Sequence, residues 1–117
     1  MIRHENETGS IAVSNNVYTQ IAGNAATNCF GVKGMAMRSM ADGLVHLLRR
    51  ESMAKGVLVR INDDETISID LHIMVDQGVN LPVLANSIIS EVRYVVSKQT
   101  NTEVKEVNVL VDSMVID

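Results

Sequence analysis

The sequence predicts an α+β fold: a small mixed, largely antiparallel sheet of about four strands with helices packed on one face. Three observations carry that prediction. Ile67, Ile69, Leu71, Ile73 and Val75 alternate strictly with Thr66, Ser68, Asp70, His72, Met74 and Asp76, so this strand has one packed face and one wet face. Leu81, Leu84, Ala85, Ile88, Val92, Val95 and Val96 trace an apolar stripe at helical spacing, which supplies a layer to cover the packed face. Across all 117 residues there is no repeat and no break in composition, so one domain accounts for the chain.

In chain order, residues 1–9 are polar, follow neither periodicity, and read as a flexible N-terminal arm, with the single domain covering 10–117. Ile11 and Val13 alternate with small residues as a short strand, and Ser14 suits the N-cap of a first helix. Val17, Ile21, Ala25 and Cys29 mark that helix's inward face, with Ala22 and Ala26 beside them, so it is expected to pack close to a neighbour. Gly31 ends it as a left-handed C-terminal residue. Met37, Met40, Leu44, Leu47 and Leu48 return at spacings of three and four and predict a second helix from about Met37 to Glu51, with Arg49 and Arg50 at the favourable end of its dipole.

Val57, Val59 and Ile61 form the next strand, and Asp63-Asp64-Glu65 make a polar turn into the strongly alternating strand. Gly78 marks a second turn, Asn80 caps the last helix with Pro82 in its first turn, and Asn101 suits a left-handed ending. Val107, Val109 and Val111 close the domain as a strand.

Composition narrows the function classes. The chain is 46% hydrophobic and 21% charged, with no Trp, one Phe and seven Met, so its core is aliphatic. A net charge of −4 argues against binding nucleic acid or anionic lipid through the overall field. The N-terminus lacks the apolar core of a signal peptide and no window is long and apolar enough to span a bilayer, so a cytoplasmic location without transmembrane insertion is expected. The single Cys29 fits a reducing compartment and reads as a small buried hydrophobe.

Two stretches are candidate sites. Gly31-Val32-Lys33-Gly34 is a GxxG element between two predicted helices, where exposed amides approach a phosphate in KH nucleic-acid modules. The competing reading is a plain turn between packed helices, or a loop that meets a protein partner. The wet sheet face is the other candidate, with Asp70 and His72 on one strand and Arg60 and Asn108 on its neighbours, as a solvated surface or a protein interface. As a zinc site this face, with Asp70 and His72, lacks a third ligand, and His4, His46 and His72 lie on different elements. No GxSxG, P-loop, HExxH or CxxC is present, so no catalytic residue, cofactor or metal is expected.

GSIAVSNNVYTQIAGNAA at 9–26, CFGVKGMA at 29–36, DGLVHLLRRE at 42–51, KGVLVRI at 55–61, ISIDLHIMVDQG at 67–78 and EVNVLV at 106–111 occur in one order and spacing. Together they resemble the alkaline shock protein family of envelope stress response proteins. The resemblance implies a small cytoplasmic α+β protein of mainly Gram-positive bacteria, linked to cell-envelope homeostasis and without known enzymatic chemistry. It implies a protein partner, membrane-anchored for some members, which would hold the protein at the membrane periphery. Asn101 stands where many members have glycine, and the long charged extensions of some stress-induced members are missing. The sheet edges of so small a domain add an expectation of homo-oligomerisation.

Overall fold

A computed structural model describes residues 1–38, 44–48 and 54–116. The order among these residues is β1 (Ile2–Asn6), β2 (Gly9–Val13), α1 (Asn15–Thr27), β3 (Val32–Arg38), β4 (Val45–Leu47), β5 (Val57–Ile61), β6 (Ile67–Asp76), α2 (Leu81–Thr100) and β7 (Val104–Val115). The fold is the α+β arrangement that the alternation of 67–76 and the stripe of 81–96 require.

β6 organises the sheet. On one side its first half pairs antiparallel with β5, from Ile61↔Ile67 to Val57↔Leu71, and its second half pairs with β3, which carries β4 at its far edge. On the other side β7 runs parallel to it over the whole length. A parallel neighbour needs a crossover rather than a hairpin, and α2 supplies it. Ile67, Ile69, Leu71, Ile73 and Val75 are fully buried beneath Leu84, Ile88, Val92 and Val96 of α2 and beneath α1, which packs against α2, β3 and β5. The alternation therefore reports a real division between a covered and an uncovered face.

The ends of α2 follow from its flanking residues. The Asn80 side chain accepts the Val83 amide at 3.1 Å, and Asn101 adopts φ 55° and donates its amide to the Ser97 carbonyl at 2.9 Å. In the β5–β6 turn, Asp64 accepts the Thr66 hydroxyl at 2.6 Å and the Thr66 amide at 3.2 Å. The hydroxyl bond, then the amide bond, hold its carboxyl below the usual carboxylate range.

Several expectations are corrected. The stretch read as an N-terminal arm contains β1, paired antiparallel with β2 from Ile2↔Val13 to Asn6↔Gly9. The turn closes because Asn6 Oδ1 accepts the Thr8 and Gly9 amides at 2.9 and 3.0 Å, while Ile2 buries its side chain in the core. Only one apolar residue of β1 is buried, too weak a pattern to announce a strand. Of the pair Ile11 and Val13 that alternates with small residues, Val13 packs against the core while Ile11 is 60% exposed.

α1 forms, but its inward face is rotated. Tyr18, Ala22, Ala25 and Ala26 are buried, Val17 is exposed, and the Ser14 hydroxyl makes no capping bond. Tyr18 turns inward because its phenol meets the Thr102 hydroxyl at 2.7 Å, an interaction 84 residues away in sequence. Ala22, Ala25 and Ala26 then permit the close approach to α2 that the small-residue face implied.

The helix expected from about Met37 to Glu51 is replaced, among the described residues, by strand. Met37 and Arg38 belong to β3, and Val45–Leu47 form β4, paired as Ala36↔Leu47 and Met37↔His46. Positions 39–43 and 49–51 of that expectation lie outside the described residues. Met37, Leu44 and Leu47, whose spacing suggested a buried helical stripe, are all exposed. Pairing of β3 with β6 supplies the competing stabilisation that local spacing does not register.

Candidate functional site

On the uncovered face the strand order β5–β6–β7 aligns side chains in rows across three strands. One row is Leu58, Asp70 and Asn108; the row before it is Arg60, Ser68 and Glu106. The side chains link diagonally. Asp70 Oδ1 accepts Arg60 Nη2 at 3.1 Å and Asn108 Nδ2 at 2.8 Å, and Arg60 lies 3.7 Å from Glu106. Three of the four residues predicted for this face thus form one polar network. Because the Arg60 and Glu106 side chains are about half exposed, that ion pair is solvent-screened and holds geometry more than it adds stability.

His72, the fourth, stands one step further along β6. Its Nδ1 meets the Asp112 carboxylate at 3.0 Å. Asp112 sits at an irregularity in the β6–β7 ladder, where Ile73 pairs with Val111 but Met74 pairs with Ser113. Glu106 and Asp112 are the residues sequence reasoning did not assign to the site. Alternation about Val107 and Val111 puts both on the wet side, but only the parallel register reveals their partners. Exposed Leu58 and Leu110 flank the polar network on the same face.

The GxxG element is built differently from its reading as a helix-to-helix joint. α1 ends at Thr27, and Val32 already begins β3. The Val32 amide donates to the Cys29 carbonyl at 3.3 Å, and the Gly31 carbonyl accepts the Asp76 amide at 2.9 Å. The two-helix clamp behind the phosphate reading is therefore replaced by a helix-to-strand turn. Each glycine has a packing reason. Gly31 has φ +95°, and a Cβ there would lie 3.0 Å from Val79 Cγ1; a Cβ on Gly34 would lie 2.9 Å from Leu47 Cδ1.

This turn separates two hollows. Gly31 borders a cleft of about 830 Å³ between the end of α1 and the start of α2, together with Cys29, Phe30, Val79, Val83 and Glu91. Lys33, exposed at the irregularity of the β3–β6 ladder, and Gly34 border a separate hollow of about 300 Å³ beside Asn24 and Leu48. The Cys29 thiol is pushed above its ordinary value by burial and by the Glu91 carboxylate. It is therefore held as a neutral thiol, the state of a packing residue rather than of a nucleophile.

Among the described residues, no three His, Cys, Asp or Glu side chains gather as a metal site, and no helix is long and apolar enough to cross a membrane. His4, His46 and His72 lie on β1, β4 and β6.

Comparison with known proteins places this sequence in a lineage. The model of the alkaline shock protein 23 family, described by a cell envelope-related function, matches residues 3–116. Uncharacterized protein YloU of Bacillus subtilis is 36% identical over 107 residues, covering 91% of this chain and 88% of that protein. Uncharacterized protein Spy1614 of Streptococcus pyogenes is 32% identical over 114 residues, covering 97% and 93% of the two chains. Uncharacterized protein YqhY, also of Bacillus subtilis, is 30% identical over 109 residues, covering 93% of this chain and 79% of that protein. No solved structure matches. With residues 3–116 matched, the chain belongs to the alkaline shock protein family, whose function is cell envelope-related.

Proposed function

We propose that this protein is a non-enzymatic protein-interaction module in cell-envelope homeostasis, docking a protein partner on the uncovered face of its sheet. One observation carries the reading: Arg60, Asp70 and Asn108 are already hydrogen-bonded to one another on a face that neither helix covers, between exposed Leu58 and Leu110. A surface whose polar groups are paired in advance loses little side-chain entropy on docking, and flanking leucines supply apolar area. The cell envelope-related family supports the setting. A cytoplasmic protein held at the membrane periphery by its partner, acting in the envelope stress response, is the form of this function that the family resemblance favours.

The test is affinity capture under native conditions with the unaltered protein and with a Leu58→Glu, Leu110→Glu variant. Both positions are exposed, so the fold is retained while the docking face gains two charges. Envelope proteins recovered by the unaltered chain and lost by the variant are expected. Equal recovery by both, or recovery of RNA or metabolites alone, contradicts the proposal.

A further inference from the structure

The cleft beside Gly31 is distinct from the sheet face and is formed by unlike surfaces. Phe30, the only phenylalanine of the chain, is 96% exposed at its rim. Val83 is exposed on α2, and Val79 is half-buried at the base against Gly31. Among the described residues, the titratable side chains that border the cleft, besides the neutral thiol of Cys29, are Asp76 and Glu91, and no Lys, Arg or His borders it. No hydrogen bond or ion pair engages either carboxylate within the described residues. A ring left in water beside aliphatic groups and two unneutralised carboxylates defines its own complement.

We infer that this cleft is a docking site for a protein segment that carries bulky aliphatic residues next to a lysine or arginine. The inference does not depend on the sheet face being an interface. Val83, Ser87 and Glu91 follow one another along α2 at intervals of four residues, about 6 Å of rise each. Glu91 therefore lies about 12 Å along the helix from Val83, a span of three to four residues in an extended peptide. The occupant places its aliphatic side chain between Phe30 and Val83 and its cation at Glu91. The cation sits nearly three turns from the α2 N-terminus, beyond the first turn where the positive end of the dipole opposes it. Asp76, at the end of β6, is the second acidic residue that borders the cleft.

Two synthetic twelve-residue peptides test this with the full chain in solution, one with a Leu-Ile pair four residues before an Arg and the other with Glu replacing that Arg. Backbone amide chemical shifts are followed at low and at physiological salt. The expected result is binding of the Arg peptide, with shifts concentrated at Phe30, Gly31, Val79, Val83, Ser87 and Glu91, and none from the Glu peptide. Phe30→Ser and Glu91→Gln, both at exposed positions, are each expected to weaken binding at least tenfold, whereas Leu110→Glu on the sheet face leaves it unchanged. Shifts centred on Asp63, Asp64 and Glu65, or affinity indifferent to both cleft variants, overturn the proposal. So does self-association of the peptide-free chain that Phe30→Ser abolishes, because the occupant is then a second copy.

Discussion

The buried bond between Tyr18 and Thr102 permits a quantitative test of how α1 is held. Tyr18 is 0% exposed and Thr102 2%, and their oxygens are 2.7 Å apart. Tyr18→Phe keeps the ring and removes its hydroxyl. Thr102 then retains the Thr100 carbonyl at 3.4 Å and His4 Nε2 at 3.4 Å, so the loss is that of one neutral hydrogen bond, about 1 kcal/mol. Thr102→Val keeps the volume but strands the phenol without a partner in a dry site, which costs more, about 1–3 kcal/mol. The double variant removes both polar groups and is expected to cost less than the sum of the singles by about 1 kcal/mol. Urea unfolding at one protein concentration measures all four corners of the cycle, and each kcal/mol also appears as roughly 4 °C in Tm for a domain of this size. Strict additivity, or a Thr102→Val variant as stable as the parent, would mean that Tyr18 is not bonded as described and that the face of α1 is wrongly assigned.

Other consequences are more local. Gly31→Ala places a Cβ in a left-handed conformation against Val79, and is expected to cost at least about 1–2 kcal/mol in thermal or urea unfolding. Asn80→Ala removes the bond to the Val83 amide and is expected to lower stability by about 1 kcal/mol by the same measurement. Cys29 is expected to be alkylated several-fold more slowly than a free thiol at mildly alkaline pH, and Glu91→Gln to speed the reaction, as followed by mass spectrometry. Its raised pKa also has a sign for stability. The contribution is fully present below the ordinary thiol value near 9.0 and is lost as pH rises through the higher folded value, so Cys29→Ala should flatten the alkaline limb of a stability profile.

Legibility in sequence followed how local the cause of each feature is. The inward set of β6 could be read because its alternation records a covered and an uncovered face, although Ser68 of the outward set is also buried, its hydroxyl accepting from Asn62 Nδ2 at 3.1 Å. Both caps of α2 could be read because Asn80 and Asn101 act on their own helix. The wet-face quartet was found by the same alternation, which also places Glu106 and Asp112 outward. The pairing of His72 with Asp112 was not legible, since it depends on a parallel register and an extra residue in β7. β3 and β4 failed for a related reason. Met37, Leu44 and Leu47 fall at helical spacing, yet the decisive interaction is pairing with β6, some forty residues downstream. The phase of α1 was likewise set by a distant hydroxyl on Thr102. Gly31 and Gly34 looked like a ligand loop because glycine spacing does not distinguish a phosphate from an approaching Val79 or Leu47 side chain.

Docking of an envelope protein on the uncovered sheet face is tested most directly by photocrosslinking in living cells. A photoreactive amino acid is placed at Leu58 or Leu110, with Gln99 on α2 as the control position, all three exposed. Discrete adducts with the same envelope protein are expected from both sheet positions and not from the control. Adducts of equal kind and yield from all three positions, or adducts to RNA from the sheet face, would refute docking there.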